Sequence, residues 1–162
     1  MTQELEPTDL LQLRQCLGHF ATGVTVVTCV AADGTARGIT ANSFSSVSLD
    51  PPLLLWNIAK VSNSLQAYLG AEHFAINILS ADQQSISEHF ARTDHTRFNG
   101  IDYAQSSDGV PLLPGTIACL ECSTHDIHDC GDHYIIIGKI SRFRCNGGNP
   151  LIFLHGAYAT LT

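Results

Sequence analysis

Strand-forming runs joined by tight-turn residues, with no regular alternation of strand and helix, constrain this chain more than any other feature. Thr22 to Val30 is β-branched and apolar, Asp33-Gly34 follows as a tight-turn pair, and Arg37 to Phe44 resumes in the same character, which predicts a hairpin. Past the Asp50-Pro51-Pro52 breaker, Leu53 to Ala59 is a short apolar run bounded by turn residues and reads as a buried strand. His73 to Leu79 sets Phe74, Ile76 and Ile78 against His73, Ala75 and Asn77, giving one apolar face. Beyond Pro114 two long strands meet at Cys130-Gly131-Asp132. Asn146-Gly147-Gly148-Asn149 then turns the chain into a last strand, Pro150 to Leu161.

The helical signals are short. Thr8-Asp9 starts a helix of about a dozen residues ending near Gly18, with Leu10, Leu13, Leu17 and Phe20 on one face. Ser62 to Leu69 begins a second, and Ser80-Ala81-Asp82 can cap a third carrying Ile86 and Phe90. Arg92 to Gly109 is polar and aperiodic, a long loop of the kind that is functional or disordered in compact domains. The expectation is a mostly β fold with short helices, an antiparallel barrel closed or nearly so, forming a single domain over residues 1–162 with residues 1–12 as a flexible N-terminus. Without βα repeats, G-x-G-x-x-G or G-x-x-x-x-G-K-[ST], the chain is not a doubly wound nucleotide binder.

Composition narrows the function. The 162 residues are 44% hydrophobic and 14% charged, enough for a real core, and a net charge of −7 with only 8 Lys plus Arg argues against binding a phosphate backbone. No apolar run approaches the roughly 18 residues that span a bilayer, and Met1 to Glu6 is polar and acidic where a signal peptide is basic then apolar. A cytoplasmic protein with no membrane and no nucleic acid partner is expected. The six cysteines are expected as free thiols. Cys119 and Cys122 have metal-knuckle spacing, but on a strand residues three apart face opposite ways. The set His125, His128, Cys130 and His133 meets the same objection, so no metal is expected.

Thr40 to Ser48 carries five hydroxyl side chains and an Asn in nine residues, where hydroxyls and loop N–H groups can bind a phosphate without lysine or can simply make turns. Ser62 and Ser64 flank a helix start, which suits an anion or plain capping. Trp56 is the sole tryptophan, a core aromatic or a ligand contact. Arg97 in the polar loop is a phosphate partner or a solvated cation. His133, after the Gly131-Asp132 turn, is a ligand contact or a structural bridge to Asp132.

Two segments, Thr40-Ala41-Asn42-Ser43-Phe44 through Ser46-Val47-Ser48 to Pro51-Pro52, and Gly131-Asp132-His133 through Ile135 to Gly138, occur in this order about 90 residues apart. Together they resemble the short-chain flavin reductase family, over a stretch from about Leu13 to the C-terminus. The resemblance implies a flavin-binding antiparallel split β-barrel, a homodimer, and hydride transfer from NADH or NADPH to FMN or FAD. It also implies a separate monooxygenase that takes the reduced flavin.

By the same resemblance the flavin contacts are Thr40, Ala41, Asn42, Ser43, Ser46, Val47, Ser48, Trp56, Asn57, Ile58, Ser62, Ser64, Phe90 and Arg97. The nicotinamide contacts are His133, His155, Gly156 and Tyr158. No catalytic side chain is required, because the cofactors carry the hydride, and His133 assists. Two other readings stay open: a flavin-binding electron carrier resembling flavoredoxin, and an enzyme resembling pyridoxine-phosphate oxidase, for which the chain is short of Arg and Lys.

Overall fold

A computed structural model describes residues 6–92 and 98–161. In chain order the elements are α1 (Leu10–Leu17), β1 (Thr22–Gly23), β2 (Thr25–Val30), β3 (Ala36–Ala41), β4 (Ser45–Leu49), β5 (Pro52–Ala59), α2 (Leu65–Leu69), β6 (His73–Ile78) and α3 (Gln84–Ala91). The second half holds β7 (Ala104–Gln105), β8 (Pro111–Leu112), β9 (Ala118–Cys130), β10 (His133–Cys145), β11 (Ile152–Leu154) and β12 (Ala157–Ala159). Seven strands make one antiparallel sheet in the order β3-β2-β6-β9-β10-β5-β4. Its two end strands, β3 and β4, are consecutive in the chain and do not pair with each other, so the sheet is a barrel with one open seam.

The curl has identifiable causes. Register breaks fall in the β9–β10 pair at Ile137/Gly138 and Ile140/Arg142, and in the β4–β5 pair at Ser46/Ser48; such bulges sharpen twist and bend strands. Gly138 sits at the first break, where a β-carbon would run into the ring of Phe74. Inside the barrel, Trp56 packs edge-on to Tyr68 with centroids 5.0 Å apart and beside Phe74, among Val27, Leu54, Ile58, Ile76 and Ile136. A second core under α3 joins Val24, Val26, Leu79, Phe90, Leu113 and Leu151.

The elements differ from the sequence reading in several places: the expected loop Arg92 to Gly109 carries the short strand β7 paired with β8, and the expected strand Thr22 to Val30 is split into β1, paired with β11, and β2. The last strand is a hairpin, β11 and β12, turned by His155 (φ 53°) and Gly156 (φ 77°); two successive positive φ values make a tight turn that a histidine does not advertise. Ser45–Leu49 is an edge strand rather than loop, bulged at Val47. The second helix starts at Leu65, preceded by a turn over Ser62–Ser64. The first helix has only 8 residues, and the apolar face read from its sequence is uncovered, with Leu10, Leu11, Leu17 and Phe20 more than half exposed. All six cysteines are free thiols, as expected. Among the described residues no helix is long and apolar enough to cross a membrane.

Candidate functional site

A hollow of about 470 Å³ opens at the seam of the barrel, within the range of small-molecule sites. Ile39, Thr40, Ala41, Asn42 and Ser43 form one wall, from the end of β3 and the turn beyond it. Asn57, Ile58 and Ala59 of β5, with Ser62, Cys130, His133 and Ile135, form the other. Strand alternation explains the second wall. His133 lies opposite Ala59 and Ile135 opposite Asn57, so these four residues share one face of the β5–β10 ladder.

Two of the five hydroxyls in the hydroxyl-rich segment, those of Thr40 and Ser43, build the site. Ser43 Oγ accepts from the Asn57 backbone N–H at 2.9 Å and donates to the Asn57 carbonyl at 3.2 Å, stapling the turn after β3 onto β5. Thr40 Oγ1 donates to the Ser87 carbonyl at 2.6 Å, fixing β3 against α3. Ser62 Oγ accepts from the Ser64 N–H at 3.3 Å. The Asn57 side chain is different: its Oδ1 is buried and has no hydrogen-bond partner among the described residues. A buried amide oxygen without a donor is costly, and this one sits in the wall of a hollow.

The Gly131-Asp132 turn presents His133. Its Nδ1 donates to Asp132 Oδ1 at 2.7 Å, leaving Nε2 available, and the side chain is 44% exposed. That hydrogen bond, helped by the charge interaction with His133, holds the Asp132 carboxyl below the usual carboxylate range. Lys60, in the turn just past β5, anchors the Gly131-Asp132 turn. Its backbone N–H donates to the Asp132 carbonyl at 2.9 Å, while Nζ contacts Asp129 Oδ1 at 2.5 Å and lies 5.3 Å from the Tyr134 ring centroid. The hydrogen bond to Asp129 raises the Lys60 ammonium above its ordinary value.

The fold thus brings Thr40, Ala41, Asn42, Ser43, Asn57, Ile58, Ser62 and His133 together and separates the other predicted residues from them. Trp56 is fully enclosed in the core, on the opposite face of β5 from Asn57, and its indole has no surface to offer a ligand. Phe90 is buried against Phe98 in the second core, and Ser64 is 3% exposed. Ser46, Val47 and Ser48 lie on the edge strand β4 and do not line the hollow. Tyr158 shares a hydrogen bond with Ser87 Oγ at 2.8 Å and packs on Phe153.

His155 and Gly156 line another hollow, of about 390 Å³, with Leu11, Arg14 and His19 of the first helix and the turn after it. Arg97 lies outside the described residues. Sequence reasoning missed Ile39, Ala59, Cys130 and Ile135 as lining residues. The signal was available for two of them, since hairpin register from the Gly131 turn puts Cys130 opposite His133 and Ile135 on the His133 face.

Residues 17–162 match the flavin reductase like domain. The chain belongs to the flavin reductase family. This flavin reductase is 48% identical over 145 residues to the FMN reductase (NADH) SmoA of Agrobacterium fabrum, covering 90% of this chain and 82% of that protein. It is also 48% identical to the reductase component of the flavin-dependent trigonelline monooxygenase of Acinetobacter baylyi. There it covers 92% of this chain but only 48% of the relative. The solved Streptomyces globisporus NADH:FAD oxidoreductase SgcE6, in complex with NAD and FAD fragments, superposes with a TM-score of 0.92 at 35% identity, covering 99% of this chain and 98% of that one. The flavin-binding split barrel expected from the two motifs is the fold observed.

Proposed function

We propose that this flavin reductase holds the ring system of FMN or FAD in the seam hollow and receives the nicotinamide of NADH on the His133 side. The orphaned Asn57 Oδ1 carries the reading. A flavin ring offers the N–H donor this acceptor lacks, and Ile39 and Ile135 suit a flat aromatic body, while Ile58 reaches the hollow only from β5, with its side chain in the core. When bound, the flavin accepts hydride from the reduced nicotinamide, so the protein need supply no general base.

The chain's own residues bind, orient and exclude water. Ser43 fixes Asn57, and the isoleucines dry the wall. Asp132 sets the tautomer of His133 so that Nε2 faces outward as an acceptor for a ligand donor when the ring is neutral. Among the described residues no Arg or Lys lines the hollow, so the additional phosphate of NADPH lacks a counter-ion there and NADH is the favoured donor. Arg97 remains the candidate for a flavin or nicotinamide phosphate.

His155 and Gly156, inferred nicotinamide contacts, belong to a separate hollow within one chain, which fits a homodimer in which one protomer completes the site of its partner. The uncovered leucines of α1 would be buried by such a dimer, and light scattering should give about twice the 17.5 kDa chain mass; a monomer at working concentration contradicts it. The reduced flavin is passed to a separate monooxygenase by diffusion, in the cytoplasm. The site itself is tested by titrating flavin into Asn57→Ala. Affinity should fall by about 1 kcal/mol with the unfolding midpoint little changed, and unchanged affinity would remove Asn57 from the contact set.

A further inference from the structure

β10 is paired on both sides only as far as Lys139, which faces Leu53 of β5. Among the described residues, Arg142 to Cys145 pair with β9 alone, and residues 141–145 are all exposed. The backbone along this side is a free sheet edge, able to accept an added strand. Its side chains are unusual for so acidic a chain. Three of the eight Lys and Arg residues, Lys139, Arg142 and Arg144, fall within six positions. The bulge at Ser141 brings them to one face: they lie opposite Ser123, Glu121 and Cys119, alternate residues of β9. Arg142 donates to Ser107 Oγ at 2.7 Å, and Arg144 lies 3.6 Å from Glu121, beside an open hollow of about 500 Å³. Phe143, on the other face, is 70% exposed.

We propose that this edge of β10 docks an extended acidic segment of a partner protein as an additional strand. Backbone pairing along the free edge beyond Lys139 supplies the register, and carboxylates at alternate positions meet Arg142 and Arg144, with Lys139 at the end of the edge. Charges on an edge can also serve merely to prevent chance pairing. Two features favour docking. The end of the edge carries arginine and an exposed phenylalanine, which interfaces select, whereas an edge only being blunted has no use for the phenylalanine. In addition, nine residues of strand separate Arg142 from His133, about 30 Å, so a docked segment leaves the seam hollow open. The proposal does not depend on what that hollow binds.

The probe is a fluorescein-labelled peptide of about ten residues alternating Glu with Val or Thr, followed by anisotropy with the full chain. Binding should weaken about tenfold in Arg142→Ala/Arg144→Ala and on raising salt to about 0.2 M. It should be lost when Pro replaces a central residue of the peptide, and bound peptide should protect the amides of residues 142–145 from hydrogen exchange. Flavin-dependent NADH turnover should be the same in both proteins. Absence of binding, equal binding by the double variant, or equal binding of the Pro peptide overturns the proposal. So does a change in oligomeric mass of the double variant, which would make a second copy of the chain the occupant.

Discussion

Trp56 and Asn57 are adjacent in sequence and opposite in role, because successive residues of β5 face opposite sides of the sheet. The indole fills the barrel and the carboxamide faces the hollow. Strand alternation in Leu53 to Ala59 was legible in the sequence and already forbade both side chains from touching one ligand. What was not legible was that Ser43 and Thr40 spend their hydroxyls on Asn57 and Ser87, since those partners are 14 and 47 residues distant. His133 is the residue whose function can be isolated most cleanly. His133→Ala should raise the Michaelis constant for NADH, or slow flavin reduction, about tenfold, equivalent to about 1.4 kcal/mol, with flavin affinity within about twofold. His133→Asn should recover part of the loss by keeping a polar side chain at the turn. Wild-type kinetics in both variants would leave the turn a structural feature only.

The strands carry a pH response through their buried thiols. Burial pushes Cys29 of β2 and Cys122 of β9 up to about 12, and Cys119 of β9 up to about 11, from an ordinary 9.0. The unfolded chain loses these protons above pH 9 while the folded chain keeps them, so stability is fully present below pH 9 and declines as pH rises toward about 11 to 12. Each thiol contributes at most about 1.4 kcal/mol per pH unit to that decline. Tyr68, held well above its ordinary 10.0 by burial, deepens the decline above pH 10. Urea midpoints measured at pH 8 and pH 10 should differ accordingly, and equal midpoints would contradict the burial of these groups. The elements themselves were largely readable from alternation and turn residues. Among the exceptions were β4, whose serines look like loop, β7, two residues within a polar stretch, and the β11–β12 hairpin, whose turn places a histidine at positive φ.

At the scale of the whole molecule, an antiparallel sheet that curls without closing leaves one seam. There the hydroxyl-rich segment after β3 meets the Gly131-Asp132-His133 turn of β10. The sequence held both motifs but not their meeting, which depends on the bulges in β9–β10 and β4–β5 and on Ser43 stapled to β5. The seam has a wall of isoleucines, one unpaired buried acceptor and one exposed histidine, and no lining cation among the described residues. It is suited to flat, neutral ring systems whose own chemistry carries the reaction. Steady-state oxidation of NADH and NADPH by the purified chain, with and without added FMN, FAD and riboflavin, tests this most directly. The expected result is NADH oxidation that requires added or bound flavin and exceeds the rate with NADPH; no acceleration by any flavin with either nicotinamide would contradict it.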